Sequence, residues 1–228
     1  MLACARADTP DRSDTTRPDS AVAIAPIDSG APKLDPRDEA SPSFREFRAR
    51  TIEALARKDT AYLYGMLAPE IKNTFGGDDG IDGFRRVWKM DNPATSEVWT
   101  ALARVLNMGG QQATDSNFTA PYVYAFWPDS MDSFSFVAVT KADARVHETA
   151  GASSTVKGIA SHSILRFKNW QGLGESGVAV DSTWAEVELP GGATGWLRGT
   201  DVYSPVSWRA MFMKRGDRWL MVFFVAGD

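Results

Sequence analysis

The most chemically suggestive run of this chain is FGGDDGIDGF, residues 75–84. Two glycines followed by two carboxylates could form a calcium loop or a turn before a helix. An EF-hand loop that began at Asp78 would require Glu at its twelfth position, where the chain has Lys89. A phosphate-binding loop would continue with Gly-Lys-Ser or Gly-Lys-Thr, and this run does not. The sequence therefore favours a turn in which Asp79 or Asp82 caps the following helix.

Other candidate catalytic residues are isolated from one another. The segment Gly174-Glu175-Ser176-Gly177 lacks the Gly-x-Ser-x-Gly spacing of a serine hydrolase. His162 stands between two serines, but neighbours on a strand point to opposite faces, so a Ser–His hydrogen bond is disfavoured. The pair Asp78 and Asp79 could act as acid and base only in a cleft that desolvates one of them. We therefore predict that the protein is not an enzyme.

The overall composition excludes several other classes of function. The chain has one cysteine, Cys4, and two histidines, so neither an internal disulfide nor a Cys/His zinc cluster can form. We accordingly predict no metal and no cofactor. A net charge of −4 in 228 residues provides no basic surface for nucleic acid. No apolar run approaches the ~20 residues that span a bilayer.

The N-terminal 40 residues are predicted to be a disordered tether. Met1-Leu2-Ala3-Cys4 resembles the end of a bacterial lipoprotein signal, in which the cysteine receives lipid; a chance cysteine is the alternative. Residues 5–40 are rich in Asp, Pro, Ser, Thr and Ala and carry five basic and eight acidic side chains. Such a segment buries too little apolar surface to offset the entropy of ordering it.

A helical domain is predicted over residues 41–113. Order should begin at Ser43, where a capping box is completed by Glu46. A second helix should follow Lys58-Asp59 and stop at Pro69. A third is predicted near 81–88, and a fourth should run from Thr95 to Gly109-Gly110.

The stretch ARTIEALARKDTAYLYGMLAPEIKNTF, residues 49–75, resembles the opening helices of NTF2-like domains. That resemblance implies that a curved sheet follows, with a small pocket. Further helix is predicted here instead, so the resemblance covers only this segment.

The β-rich second half is assigned to residues 114–228, because the apolar period changes there from 3.6 to 2. Strands are predicted at 122–127, 134–140, 144–147, 163–167, 184–189, 195–197, 209–214 and 219–225. Pro190-Gly191-Gly192 and Arg215-Gly216-Asp217 are hairpin signals. Many short strands at this spacing are typical of a small barrel. The predicted fold class is therefore α+β, with a helical segment before a small β-barrel and flanking strands.

Residues 143–204 resemble the bacterial SH3-like (SH3b) domain. The segment WAEVELPGGATGW places Trp184, Val187, Gly192, Gly195 and Trp196 on the family pattern W-x-x-V-x-L-x-x-G-x-x-G-W. The sequence departs from the family at two points, since His147 stands where Arg is usual and Gly151-Ala152 replaces the usual proline-containing loop. In addition, the loop at 169–182 is longer than usual. The resemblance implies an SH3-like barrel in a cell-envelope protein, periplasmic or lipid-anchored.

The aromatic residues of this segment are the candidate ligand site: Trp170, Trp184, Trp196 and Tyr203. If they project on one side, they could contact a sugar face or an extended peptide. The alternative places Trp184 and Trp196 in the core, with Trp170 and Tyr203 exposed. The resemblance implies recognition of peptidoglycan or of an envelope protein. Two further hypotheses stay open: a small-molecule binder or enzyme with a pocket between the helices and the barrel, and an envelope scaffold.

Overall fold

The computed structural model of this protein describes residues 24–227 and has a mixed α+β architecture with two sheets. The α-helices are α1 Pro42–Ala56, α2 Thr60–Gly65, α3 Gly80–Val87, α4 Val98–Asn107 and α5 Tyr122–Ala125. The strands are β1 Leu67–Lys72, β2 Gln111–Thr114, β3 Asn117–Ala120, β4 Phe136–Val139, β5 Ala144–His147, β6 Val156–Ala160, β7 Ile164–Gln171, β8 Trp184–Glu188, β9 Thr194–Arg198, β10 Val202–Tyr203, β11 Arg209–Arg215 and β12 Arg218–Val225.

The first two helices begin at side-chain caps. The Ser41 hydroxyl accepts a hydrogen bond from the Phe44 N–H, with Pro42 in the first turn, where its missing N–H costs nothing. The predicted cap at Ser43 is therefore wrong by two residues, because Ser43 is already inside α1. The Asp59 carboxylate accepts a hydrogen bond from the Tyr62 N–H and starts α2 at the predicted break.

A five-stranded sheet forms one layer with these helices, in the order β1-β12-β11-β3-β2. Its inward side chains are fully buried and meet aromatic residues of α1. The Phe44 ring stacks on Phe118 of β3 with ring centroids 3.9 Å apart, and it contacts Trp219 of β12 edge to face at 5.0 Å. This apolar contact joins α1 to the last strand, β12.

Two predicted elements of this unit are wrong. Pro69 does not stop a helix; it lies in β1, an edge strand where a missing N–H is tolerated. Residues 122–127 were predicted to be a strand but contain α5. The predicted domain boundary at 113/114 also falls within β2, and the C-terminal hairpin β11–β12 pairs with the sheet that packs on the helices.

The second sheet has seven strands in the order β10-β4-β7-β8-β9-β5-β6. Strands β5, β8 and β9 match the predicted positions to within one residue at every boundary, as does β11 of the five-stranded sheet. In the described part of the chain β10 and β6 stand at opposite ends of the order, and no closed barrel is formed. A second apolar cluster lies within this sheet, with members from all seven strands, including Val139, Val146, Leu165, Val187 and Val202.

The segment before α1 packs against this second sheet. The Ile27 N–H donates to the Ile159 carbonyl at 2.9 Å, and the Ile164 N–H donates to the Pro32 carbonyl at 2.8 Å. Leu34 is buried. The prediction of a disordered tether is therefore wrong from residue 24 onward; its earlier part, with the predicted lipidation site Cys4, lies outside the described residues.

Arg104 of α4 connects two units, the helices with their five-stranded sheet and the seven-stranded sheet. Its guanidinium lies 5.0 Å from the Tyr203 ring centroid and donates hydrogen bonds to the carbonyls of Gly199, Thr200 and Val202. Burial lowers the pKa of Arg104, and the nearby Tyr203 and Asp201 oppose that shift. One cation thus holds the turn before β10 against the helical layer.

Candidate functional site

The predicted aromatic site is divided between two faces of the seven-stranded sheet. Trp184 and Trp196 share one face, because Trp196 pairs with Glu186, which lies two residues after Trp184 on β8. The Trp184 ring meets His147 edge to face at 5.1 Å and is 6% exposed, whereas Trp196 is half-buried. The prediction that Trp184 is buried is confirmed, while Trp196 is more exposed than predicted for a core residue.

Trp170 and Tyr203 lie elsewhere. Trp170 is half-buried and packs with Phe167 against the core of the seven-stranded sheet. Tyr203 was predicted to be exposed but is 5% exposed, and its hydroxyl donates to the Trp208 carbonyl. Burial raises the pKa of Tyr203. The four residues therefore do not form one exposed surface.

The FGGDDGIDGF run forms a turn, as predicted. The Asn73 side chain is buried and donates to the carbonyls of Asp78 and Gly80, which shapes the loop from inside. Asp79 occupies the N-cap position of α3 but accepts from the Asn73 N–H instead of from the helix. Asp78 is paired with Arg86 at 2.7 Å. These carboxylates serve the local structure.

A larger exposed apolar surface lies on the outer side of the five-stranded sheet. The described residues include six exposed large apolar side chains, and four of them lie here: Phe75 (47%), Tyr124 (39%), Phe134 (56%) and Met213 (39%). We call this surface, together with the half-buried Met211 and Phe223, the open face. Strand geometry produces it, because β11 and β12 place alternate residues on opposite sides.

The members of the open face are contiguous. Met211 pairs with Phe223 across the hairpin, and the Phe75 ring meets Phe223 edge to face at 6.4 Å. Met211, Tyr124 and Phe134 line one depression of about 480 Å³. The apolar side chains therefore form a continuous patch, which is the type of surface that marks interaction sites.

Two cations are embedded in the open face. The Arg209 guanidinium lies 5.0 Å from the Tyr124 ring centroid and 5.6 Å from that of Phe75. The Lys72 ammonium lies 5.1 Å from the Phe75 ring centroid. Cations over aromatic rings hold these rings in place. Arg209 is 7% exposed, so Lys72 supplies the accessible positive charge at this edge of the patch, while Asp129 also lines the depression.

Several concave regions lie away from the open face. A groove of about 560 Å³ separates Trp88, at the end of α3, from the loop at 174–176. The Trp208 ring is tilted against Trp88, with centroids 4.3 Å apart, and donates its indole N–H to the Ser176 carbonyl. This groove lies between the helical layer and the seven-stranded sheet. Another region lies at the turn of the C-terminal hairpin.

Residues 24–227 contain no cluster of three His, Cys, Asp or Glu side chains that could bind a metal ion. None of the helices in that range is both long and apolar enough to cross a bilayer.

The open face was not identified from the sequence, although part of its signal was present. In β11, Met211 and Met213 follow Arg209 on one side of the strand and predict that this side is partly apolar. The opposite side, with Ala210 and Phe212, is also apolar, so the pattern does not show which side faces solvent. Tyr124 and Phe134 reach the same face from α5 and the following loop, and only the fold brings them there.

Comparisons with known proteins give no relative: no family model, no curated protein and no solved structure matches this chain.

Proposed function

We propose that the protein is a non-enzymatic binding protein that recognises a protein partner through the open face. The observation that supports this proposal most strongly is the exposure of Phe75, Tyr124, Phe134 and Met213 on one continuous surface. Water contact with so much aromatic and thioether surface is unfavourable, and a partner that covered it would gain the corresponding hydrophobic free energy.

The chemistry of the partner follows from the charge beside the patch. The Lys72 ammonium lies beside the exposed Phe75 ring. A segment with apolar side chains and neighbouring carboxylates complements both properties, whereas a segment flanked by lysines is repelled. The partner is therefore an apolar, acidic protein segment. A second copy of this chain fits less well, since it would bring two copies of this lysine together.

Two matched peptides test this proposal: one with the sequence Asp-Leu-Phe-Leu-Phe-Asp, the other with lysine in place of both aspartates. Backbone amide shifts of β11 in NMR titrations should show binding of the acidic peptide at least about tenfold tighter than of the lysine peptide. A Phe134→Ser/Met213→Ser variant should lose this binding and keep its melting temperature. An Arg145→Ser variant, altered on the exposed part of β5, is the control. Equal affinities for the two peptides, or shifts confined to other strands, would contradict the proposal.

We further propose that the seven-stranded sheet is a curled, SH3-like barrel. The support is its single apolar cluster: strands β4 and β5 are four residues apart in the chain yet occupy separated positions in the sheet order, and both bury side chains in that cluster. A flat layer could not enclose such a core. NMR contacts between methyl groups of Val139 and Leu197 would support the curled shape, and two separate cores would contradict it. Peptidoglycan recognition by the aromatic residues here stays a prediction.

A further inference from the structure

A cavity of about 390 Å³ opens between α1, α2 and the turn of the C-terminal hairpin. We call it the basin. Its apolar wall consists of Phe47 and Met66, both buried, with the half-buried Tyr62 and the indole of Trp219. The volume lies within the range of about 300–1,000 Å³ that small-molecule sites occupy. The open face lies on the other side of the same sheet, so the basin is a separate site.

The polar part of the basin has an excess of positive charge. Arg50 comes from α1, Lys214 from β11 and Arg218 from β12. Two carboxylates, Glu46 and Asp217, also line the basin.

None of these five side chains forms an ion pair with another described residue. Arg218 does donate a hydrogen bond to the Gly65 carbonyl at 2.7 Å, which fixes its direction. Three cations thus converge on the basin from three elements, and two carboxylates do not neutralise them.

One wall residue has an unsatisfied hydrogen-bonding group. Trp219 is 5% exposed, and its Nε1–H donates to no atom of the described residues. The Tyr62 hydroxyl, in contrast, bonds to the Thr51 hydroxyl at 3.1 Å. This N–H is itself buried, so it reports on the packing of the basin's wall and is not a contact for a ligand in the open cavity.

We propose that the basin binds a small organic anion with an aromatic or similarly apolar body and one acid group. The body packs against Trp219, Phe47 and Met66, and the acid group lies among Arg50, Lys214 and Arg218. Guanidinium groups match carboxylates in shape and donate two parallel hydrogen bonds to them. The apolar wall binds the body of such a molecule, and the cationic rim, formed by Arg50, Lys214 and Arg218, binds its acid group.

The test uses three probes of similar size and different charge: phenylacetate, the neutral phenylacetamide and the cationic 2-phenylethylamine. Binding is followed in the whole chain by NMR, through the indole N–H resonance of Trp219, which a Trp219→Phe variant assigns. Phenylacetate should shift this resonance and bind at least about tenfold tighter than phenylacetamide, and 2-phenylethylamine should not bind.

Two variants separate the effect of charge in the basin from an effect on folding. Arg50→Gln should weaken phenylacetate binding about tenfold, because Arg50 is exposed and its removal leaves the packing unchanged. Arg57→Gln, an equal change of charge at the end of α1 away from the basin, should leave the affinity unchanged. Both variants should melt at the temperature of the wild type.

Three results would overturn the proposal. The first is a Trp219 resonance that does not move with phenylacetate in large excess. The second is equal binding of phenylacetate and phenylacetamide, which would remove the role of charge. The third is equal binding of inorganic phosphate and phenylacetate, which would show an inorganic anion site without a role for the apolar wall.

Discussion

Single buried polar residues fix the positions of whole segments in this protein. Asp28 is the clearest example: its carboxylate is 4% exposed, accepts from the Lys33 ammonium at 2.6 Å and accepts from the Ser161 N–H at 3.0 Å. Burial by itself would raise the pKa of Asp28, but the hydrogen bonds from Lys33 and Ser161 lower it below the usual value. The charged form therefore holds the segment before α1 against the junction of β6 and β7.

Replacement of this carboxylate should reduce stability in a pH-dependent way. Because the folded pKa lies below the unfolded value of 3.8, the contribution of Asp28 is complete above pH 3.8 and is lost as the pH falls through the folded pKa. Asp28→Asn should lower the free energy of unfolding by about 1 kcal/mol at pH 7. The difference from wild type should vanish in acid. Urea unfolding at several pH values measures this difference in the free energy of unfolding, and Asp115→Asn, at an exposed position, is the control. A constant difference across the acid range would contradict this account.

At the scale of elements, the turn before α3 depends on a close approach of the backbone. Gly83 lies inside α3, where glycine is a poor helix former, yet a Cβ there would overlap the Asp78 carbonyl group and crowd the Asn73 amide. The loop folds back on the first turn of its own helix. The glycine is thus required by packing, and the acidic residues of the run need no ligand to explain them.

Gly83→Ala tests this interpretation, because helix propensity and the close approach predict opposite changes in the free energy of unfolding. In an open helix the change would stabilise by up to about 1 kcal/mol. Here we expect a loss of about 1–3 kcal/mol in the free energy of unfolding, because the carbonyl group must move. Gly76→Ala, in the same loop, should have little effect, because a Cβ added there would lie 3.8 Å from its nearest neighbour, the Thr74 hydroxyl. A Gly83→Ala variant that unfolds at a higher urea concentration than wild type would refute the close approach.

At the scale of the whole molecule, two units share one chain whose described part crosses between them three times. The C-terminal hairpin returns to the helical layer, while the intervening residues build the seven-stranded sheet. Arg104 then ties the units together by hydrogen bonds to Gly199, Thr200 and Val202. The chain is therefore expected to unfold as a single unit.

Arg104→Met should uncouple the units. The change leaves backbone carbonyls without their donor, and we expect a loss of about 3 kcal/mol or the appearance of two separate unfolding transitions. Arg145→Met, on the exposed side of β5, is the matched control. Differential scanning calorimetry distinguishes the outcomes. A single transition within about 0.5 kcal/mol of wild type would show that Arg104 does not join the units.

The sequence allowed most single strands to be predicted, because β5, β8 and β11 are periodic and bounded by turn signals. It could not show that β11 and β12 pair with β3 and β1, since partners distant in the chain leave no local pattern. Tyr203 was misplaced for the same reason: its burial is produced by α4, through Arg104. The open face combines side chains from several segments, so it became visible only in the fold.

Photo-cross-linking from Phe134 in cells that make the protein tests the proposed function most directly. A benzophenone side chain at this position, the most exposed large apolar residue of the range 24–227, should give a discrete adduct with a different protein. The peptide attached to it should be apolar with neighbouring carboxylates. The same group at Arg145 should give no such adduct. No adduct at Phe134 beyond that at Arg145, or an adduct with the mass of two copies of this chain, would contradict the account.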